Sequence, residues 1–289
     1  MLLAAAVVLL IAGCEREIDI RLNDSAPKLV VEATIENGRP PVVVLTKSIG
    51  YFSNVSLQLL SESFVRNAEV TVSNGVVTHR LKEYGVPVGS GYSVYYYSTD
   101  SSNLSTSFVG ALNTRYTLRI QAEGEEYTAE TTIPNITRRV DSLWWRPLPA
   151  LSDSNKAAVV VRAYDPPGFG DYIRYMTSFN GGPFLAPEAS VFDDLFIDGT
   201  TYEVQIQPGY DRNVSSADRN FFRRGDTVVF KLSNIDKATY DFWRTWEFSY
   251  SSVGNPFSAP IKVMGNIKGN ALGYFGGYAT QYRTLIIPR

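Results

Sequence analysis

From Lys28 onward, apolar residues recur at every second position in one short run after another, and this period of two constrains the fold more than any other feature. A strand is the regular element whose side chains alternate between faces at that spacing. Leu29, Val31, Ala33 and Ile35 share one face of the first run, and Asn37-Gly38 closes it as a turn. Val42 to Thr46 reads as a second strand. Ala68 to Ser73 and Val76 to Leu81 flank Asn74-Gly75. Asn-Gly between two such runs marks a hairpin, because both residues tolerate positive φ. Tyr116, Leu118, Ile120 and Ala122 line another face. After Glu123-Gly124-Glu125-Glu126 the alternation resumes at Tyr127, Ala129, Thr131 and Ile133, until Pro134 stops it. About seven short strands in about a hundred residues, without a helical stretch, predict an immunoglobulin-like β-sandwich over residues 28–135.

Pro134 to Ser142 is the expected boundary, and residues 136–289 are expected to form a second β-rich, sandwich-like domain with one short helix. Its strands are Ala157 to Tyr164, Tyr172 to Phe179, Thr201 to Gln207, Thr227 to Leu232 and Thr284 to Ile287. A turn dense in breakers, Asp165-Pro166-Pro167-Gly168-Phe169-Gly170-Asp171, separates the first two. Between Asp236 and Tyr250 the period changes. Tyr240, Trp243, Trp246 and Tyr250 fall on one helical face, and Asp236 can cap the helix start. That stripe is expected to pack on the sheet.

The N-terminus carries a different signal. Leu2 to Ile11 is uniformly apolar, too short to span a bilayer but the length of a secretory signal's core. Ile11-Ala12-Gly13-Cys14 then matches a bacterial lipobox. It predicts a signal peptide over 1–13, with a diacylglycerol on the Cys14 thiol and a further chain such as palmitate on its amine. Two or more acyl chains hold a protein stably to a bilayer. No Lys or Arg precedes the apolar run, so the natural start is expected upstream of Met1. Residues 14–27 read as an acidic tether through Glu15, Glu17 and Asp19, resembling a surface-export signal, with a solvated linker as the alternative.

Chemistry is hard to find. Cys14 is the only cysteine, so a disulfide framework, a thiolate metal site and a cysteine nucleophile are all excluded once it is acylated. A net charge of −2 with mixed signs gives no footprint for nucleic acid. His79, the only histidine, is expected on the surface of a hairpin strand. Asp193, Asp194 and Asp198 lack the alternate spacing and mid-loop glycine of a calcium loop, and are expected as solvated turn carboxylates. Arg224-Gly225-Asp226 reads as the turn leading into a strand. Four sequons, beginning at Asn54, Asn103, Asn135 and Asn213, carry little meaning in a bacterium. Ser25 and Ser142, each in an Asp-Ser-aliphatic triplet within an expected linker, are candidates for O-glycosylation. Catalytic, metal and cofactor residues are expected to be none. Tyr95, Tyr96 and Tyr97, in the densest aromatic run, are candidate contacts for a ligand or partner, since exposed tyrosine suits interfaces. Tyr274, Phe275 and Tyr278, set among glycines, are further candidates, with a series of tight bulges as the plainer explanation.

The chain resembles the Bacteroidota lipoproteins that carry the domain of unknown function 4249. The resemblance runs through Lys28-Leu29-Val30-Val31-Glu32, Tyr127-Thr128-Ala129-Glu130-Thr131-Thr132-Ile133-Pro134 and Asp165-Pro166-Pro167-Gly168. It is most specific in Gly265-Asn266-Ile267-Lys268-Gly269-Asn270-Ala271-Leu272-Gly273-Tyr274-Phe275-Gly276-Gly277-Tyr278. It implies an outer-membrane lipoprotein, often encoded beside a TonB-dependent transporter, and brings no established catalytic residue with it. The expected function is therefore a non-enzymatic, surface-exposed accessory that binds substrate or caps a TonB-dependent barrel. A structural or adhesive surface module is the alternative, and a hydrolase with an unrecognised carboxylate pair is the third reading.

Overall fold

The alternating runs form strands in the computed structural model, which describes residues 26–50, 53–89, 91–148, 153, 155–213, 221–253 and 261–289. Ile11, Ala12, Gly13, Cys14 and Ser25 lie outside the described residues. In the first half the elements are β1 (Leu29–Glu36), β2 (Val42–Lys47), helix α1 (Leu57–Glu62), β3 (Glu69–Ser73), β4 (Thr78–Gly89), β5 (Tyr92–Thr99), β6 (Thr114–Ala122) and β7 (Glu125–Ile133). The second half supplies β8 (Arg139–Pro147), β9 (Lys156–Tyr164), β10 (Tyr172–Phe179), β11 (Val191–Phe192), β12 (Thr201–Ile206), β13 (Phe222–Arg223), β14 (Thr227–Ile235), helix α2 (Lys237–Ser251) and β15 (Ala271–Ile286).

The protein is mainly β and sandwich-like, as its alternation predicts. An 11-stranded sheet runs β11-β10-β14-β15-β1-β2-β5-β4-β3-β6-β7, and β8, β9, β12 and β13 form a second sheet. In the first half the large sheet rolls over so that β7 comes back against β15. The rolled faces enclose a core in which Val31, Ala33 and Ile35 of β1 meet Tyr116, Leu118 and Ile120 of β6. In the second half, Val159 and Val161 of β9 pack against Val228, Phe230 and Leu232 of β14. A third cluster seats α2 on the large sheet through Tyr240 and Phe242.

β15 ties the two halves together. It pairs in parallel with β1, from Leu29↔Ala271 to Glu36↔Tyr278, and antiparallel with β14. The sheet therefore continues across the position expected for a domain boundary at 135/136. The glycines of β15 permit this closeness. At Gly273, with φ +104, a Cβ would stand 1.9 Å from the Val31 carbonyl oxygen, and at Gly277 it would stand 2.6 Å from that of Thr132. Any larger side chain would push β1 or β7 away.

Two elements depart from the sequence reading. The structure has two helices among the described residues where one was expected. The additional one, α1, spans six residues, buries none of them, and is capped by Ser56, whose Oγ accepts the Leu59 N–H at 3.1 Å. β15 is also far longer than the expected Thr284 to Ile287, because its glycines hide the alternation that marks an ordinary strand.

Candidate functional site

The aromatic residues singled out by sequence are mostly engaged within the chain. Tyr97 is buried in the first core, and its hydroxyl accepts the Ala68 N–H at 3.0 Å and donates to Glu83 Oε2 at 2.9 Å. Burial pushes its pKa up to about 12. Tyr95 lies edge-on to Phe64 under the Arg66 guanidinium, 4.0 Å from its ring centre, and Tyr96 stacks on Tyr84. Tyr274, Phe275 and Tyr278 are buried, and Tyr274 and Tyr278 line a small cavity of about 230 Å³ with Arg174 and Trp243. Tyr274 stacks on Phe242 at 4.2 Å, Tyr278 accepts the Trp243 Nε1–H at 2.9 Å, and Phe275 belongs to the first core. The reason is β15 itself, a central strand covered on both faces, so its rings fill the core beside its glycines.

Three other expectations are corrected. His79 is buried, not on the surface. Its Nε2 accepts the Asp100 N–H at 3.1 Å and its Nδ1 lies 2.8 Å from Thr106 Oγ1. Ser142 lies inside β8 opposite Arg162, not in a linker. Asp194 is buried rather than solvated: its Oδ2 accepts the N–H groups of Gly170 at 2.7 Å and Asp171 at 2.9 Å. Asp198 accepts the Gly168 N–H at 2.6 Å, and Asp193 accepts the Tyr240 hydroxyl at 3.1 Å.

Asp193 borders a cleft of about 650 Å³ between the two sheets of the second half. Ligand sites are typically concavities of about 300–1,000 Å³ with apolar walls and few polar groups. The walls here come from Val161 and Ala163 of β9, Ile173 and Tyr175 of β10, and Phe230 and Leu232 of β14. The sheets separate toward this end, so residues that alternate inward leave a space unfilled. At the rim stand Phe192, Val204 and Phe196, the last 96% exposed. Apolar rings held in water around an apolar recess cost free energy unless something covers them.

Three charged residues line this cleft, Arg138, Asp193 and Arg244, and of these Arg138 alone is buried. Arg138, in the segment leading into β8, is fully buried and pairs with the equally buried Asp165 through Nε and Oδ1 at 2.6 Å. Its Nη1 has no hydrogen-bond partner, nor does Asp165 Oδ2. Such orphan atoms are uncommon in native interiors and mark places where a partner belongs. Burial raises the pKa of Asp165, and the neighbouring Asp171 and Asp194 charges add to this, while Arg138 opposes it. Burial likewise raises the tyrosines that line the cleft, Tyr175 to about 12 and Tyr202 in the same direction. Sequence reasoning read Arg138 as linker and Asp165 as a turn residue. Their 27-position separation carries no periodic signal in the sequence.

The model for the domain of unknown function DUF4249 matches residues 15–284. The chain belongs to the DUF4249 family. No curated protein matches it. The DUF4249 match spans both halves and the strand that joins them, so rolled sheet, cleft and β15 belong to a single family unit.

Proposed function

We propose that this DUF4249 protein is a non-enzymatic Bacteroidota lipoprotein that holds an apolar ligand in the second-half cleft. It is anchored to the outer membrane through Cys14, faces the cell exterior and serves a TonB-dependent transporter. The cleft carries the binding part of this reading. It joins an apolar recess of ligand size, exposed rings at its rim and one buried guanidinium with an unspent donor. A ligand with an apolar body and a single acceptor group, such as a carbonyl or carboxylate, matches that chemistry. The lipobox Ile11-Ala12-Gly13-Cys14 supports the anchor, and the resemblance to lipoproteins encoded beside such transporters supports the partner.

The binding part is tested with the amphiphilic dye ANS, on a lipid-free form secreted from a conventional signal with Cys14→Ala. The expected result is saturable 1:1 binding, weakened about tenfold, or about 1.4 kcal/mol, by Val204→Trp at the rim. Val204 is 45% exposed, so a larger ring there blocks the mouth without entering the core. Dye binding that is absent, or indifferent to Val204→Trp, would remove the cleft from the account.

A further inference from the structure

Asp165, Asp171 and Asp194 bring one carboxylate oxygen each to within 4.8 Å of one another. Asp165 and Asp194 are buried and Asp171 is half-buried. Three carboxylates so placed repel one another in a medium of lower dielectric than water. Among the described residues, Arg138 opposes them through its ion pair with Asp165. That pairing spends Asp165 Oδ1 and leaves Oδ2 fully buried without a hydrogen-bond donor. A buried carboxylate oxygen without a donor lacks a cation or a proton.

We propose that Asp165, Asp171 and Asp194 bind a calcium ion. All candidate ligands are hard oxygens, with neither histidine nor cysteine among them, which selects Ca²⁺ or Mg²⁺ over transition metals. Calcium holds its oxygens at about 2.3–2.6 Å, so two of them can stand up to about 5 Å apart across the ion. Magnesium, at about 2.0–2.1 Å, would need a tighter set in near-octahedral geometry. A divalent ion balances the net charge left by three carboxylates and one guanidinium, and gives Asp165 Oδ2 its missing partner. Asp171 and Asp165 close the turn after β9, whereas Asp194 lies between β11 and β12. The ion therefore pins two loops together beside the cleft rim formed by Phe192 and Phe196.

The test uses the full-length protein in non-ionic detergent, stripped with EDTA and titrated with Ca²⁺ by calorimetry. Luminescence of Tb³⁺ provides a second readout of the same site. One saturable Ca²⁺ site per chain is expected, with a higher thermal midpoint in Ca²⁺ than in EDTA and weaker competition by Mg²⁺. Asp171→Asn is expected to abolish the site while keeping the fold, because asparagine still accepts the Thr137 hydroxyl that Asp171 Oδ1 accepts at 2.9 Å. Asp198→Asn, outside the triad, is expected to leave it intact. The proposal is overturned if millimolar Ca²⁺ neither binds the stripped protein nor moves its midpoint. Undiminished binding by folded Asp171→Asn would overturn it equally. Both outcomes are independent of what the cleft holds.

Discussion

His79 illustrates how one side chain's bonds fix its protonation. Because Nε2 accepts the Asp100 N–H, the neutral ring carries its proton on Nδ1 and donates it to Thr106 Oγ1. A second proton on Nε2 would face a backbone donor. Burial lowers the pKa below its usual 6.5, and the Asp100 charge opposes this only in part. The sign follows from linkage. The unfolded chain takes up the proton first as pH falls, so the stability tied to neutral His79 is complete above about 6.5. It is lost as pH drops through the lower folded value. Since this is the chain's only histidine, an NMR titration reads it alone; a midpoint below 6.5 with the Nδ1–H tautomer is expected. A midpoint at or above 6.5 would contradict the assignment. The period of two does place this residue: alternation puts His79 in step with Leu81, both buried on β4. Its polarity nonetheless argued for the surface, and the two partners that satisfy it, 21 and 27 positions away, leave no trace in local sequence.

Asp236 does the corresponding work between elements. Oδ1 accepts the Thr239 N–H at 2.8 Å and caps α2, while Oδ2 accepts the Thr132 N–H and the Thr131 hydroxyl of β7, each at 2.9 Å. One carboxylate thus starts the helix and ties it to the first half. Removing a cap costs about 1 kcal/mol, and abandoning a backbone N–H costs about as much again. Asp236→Ala is expected to lower unfolding stability in urea by about 2 kcal/mol. Asp236→Asn, which caps equally well, is expected to recover about half of that or more. An unchanged urea midpoint in Asp236→Ala would show that the tie carries no weight. The capping role was legible in the sequence, and so were Tyr240 and Trp243 as parts of a packed stripe. Phe242, also buried, falls off that stripe and stacks on Tyr274 of β15. Strands were legible where both faces have distinct environments, as in β6 and β7. β15 was not, because a strand covered on both faces has no polar face to set the period.

At the scale of the whole molecule, the least legible feature is the sheet that joins first and last strands. Asn37 and Thr280, 243 positions apart, are bonded through Asn37 Oδ1 and the Thr280 N–H at 2.5 Å. No local pattern encodes such a pairing, which arises from the closure of the whole sheet around β15. The cleft was invisible for the same reason: its walls read as ordinary core residues, and only the separation of two sheets makes them a site. This architecture places the cleft and the acidic triad in the second half. The proposed anchor at Cys14 and the proposed barrel partner are tested together. The most direct test is a mild-detergent pull-down of the tagged protein from outer membranes, with Cys14→Ala as control. Recovery of a TonB-dependent barrel with the native protein, and its loss with Cys14→Ala, is the result the account predicts. Recovery of the acylated lipoprotein without a barrel would contradict it, and would favour a free-standing binding or adhesive module.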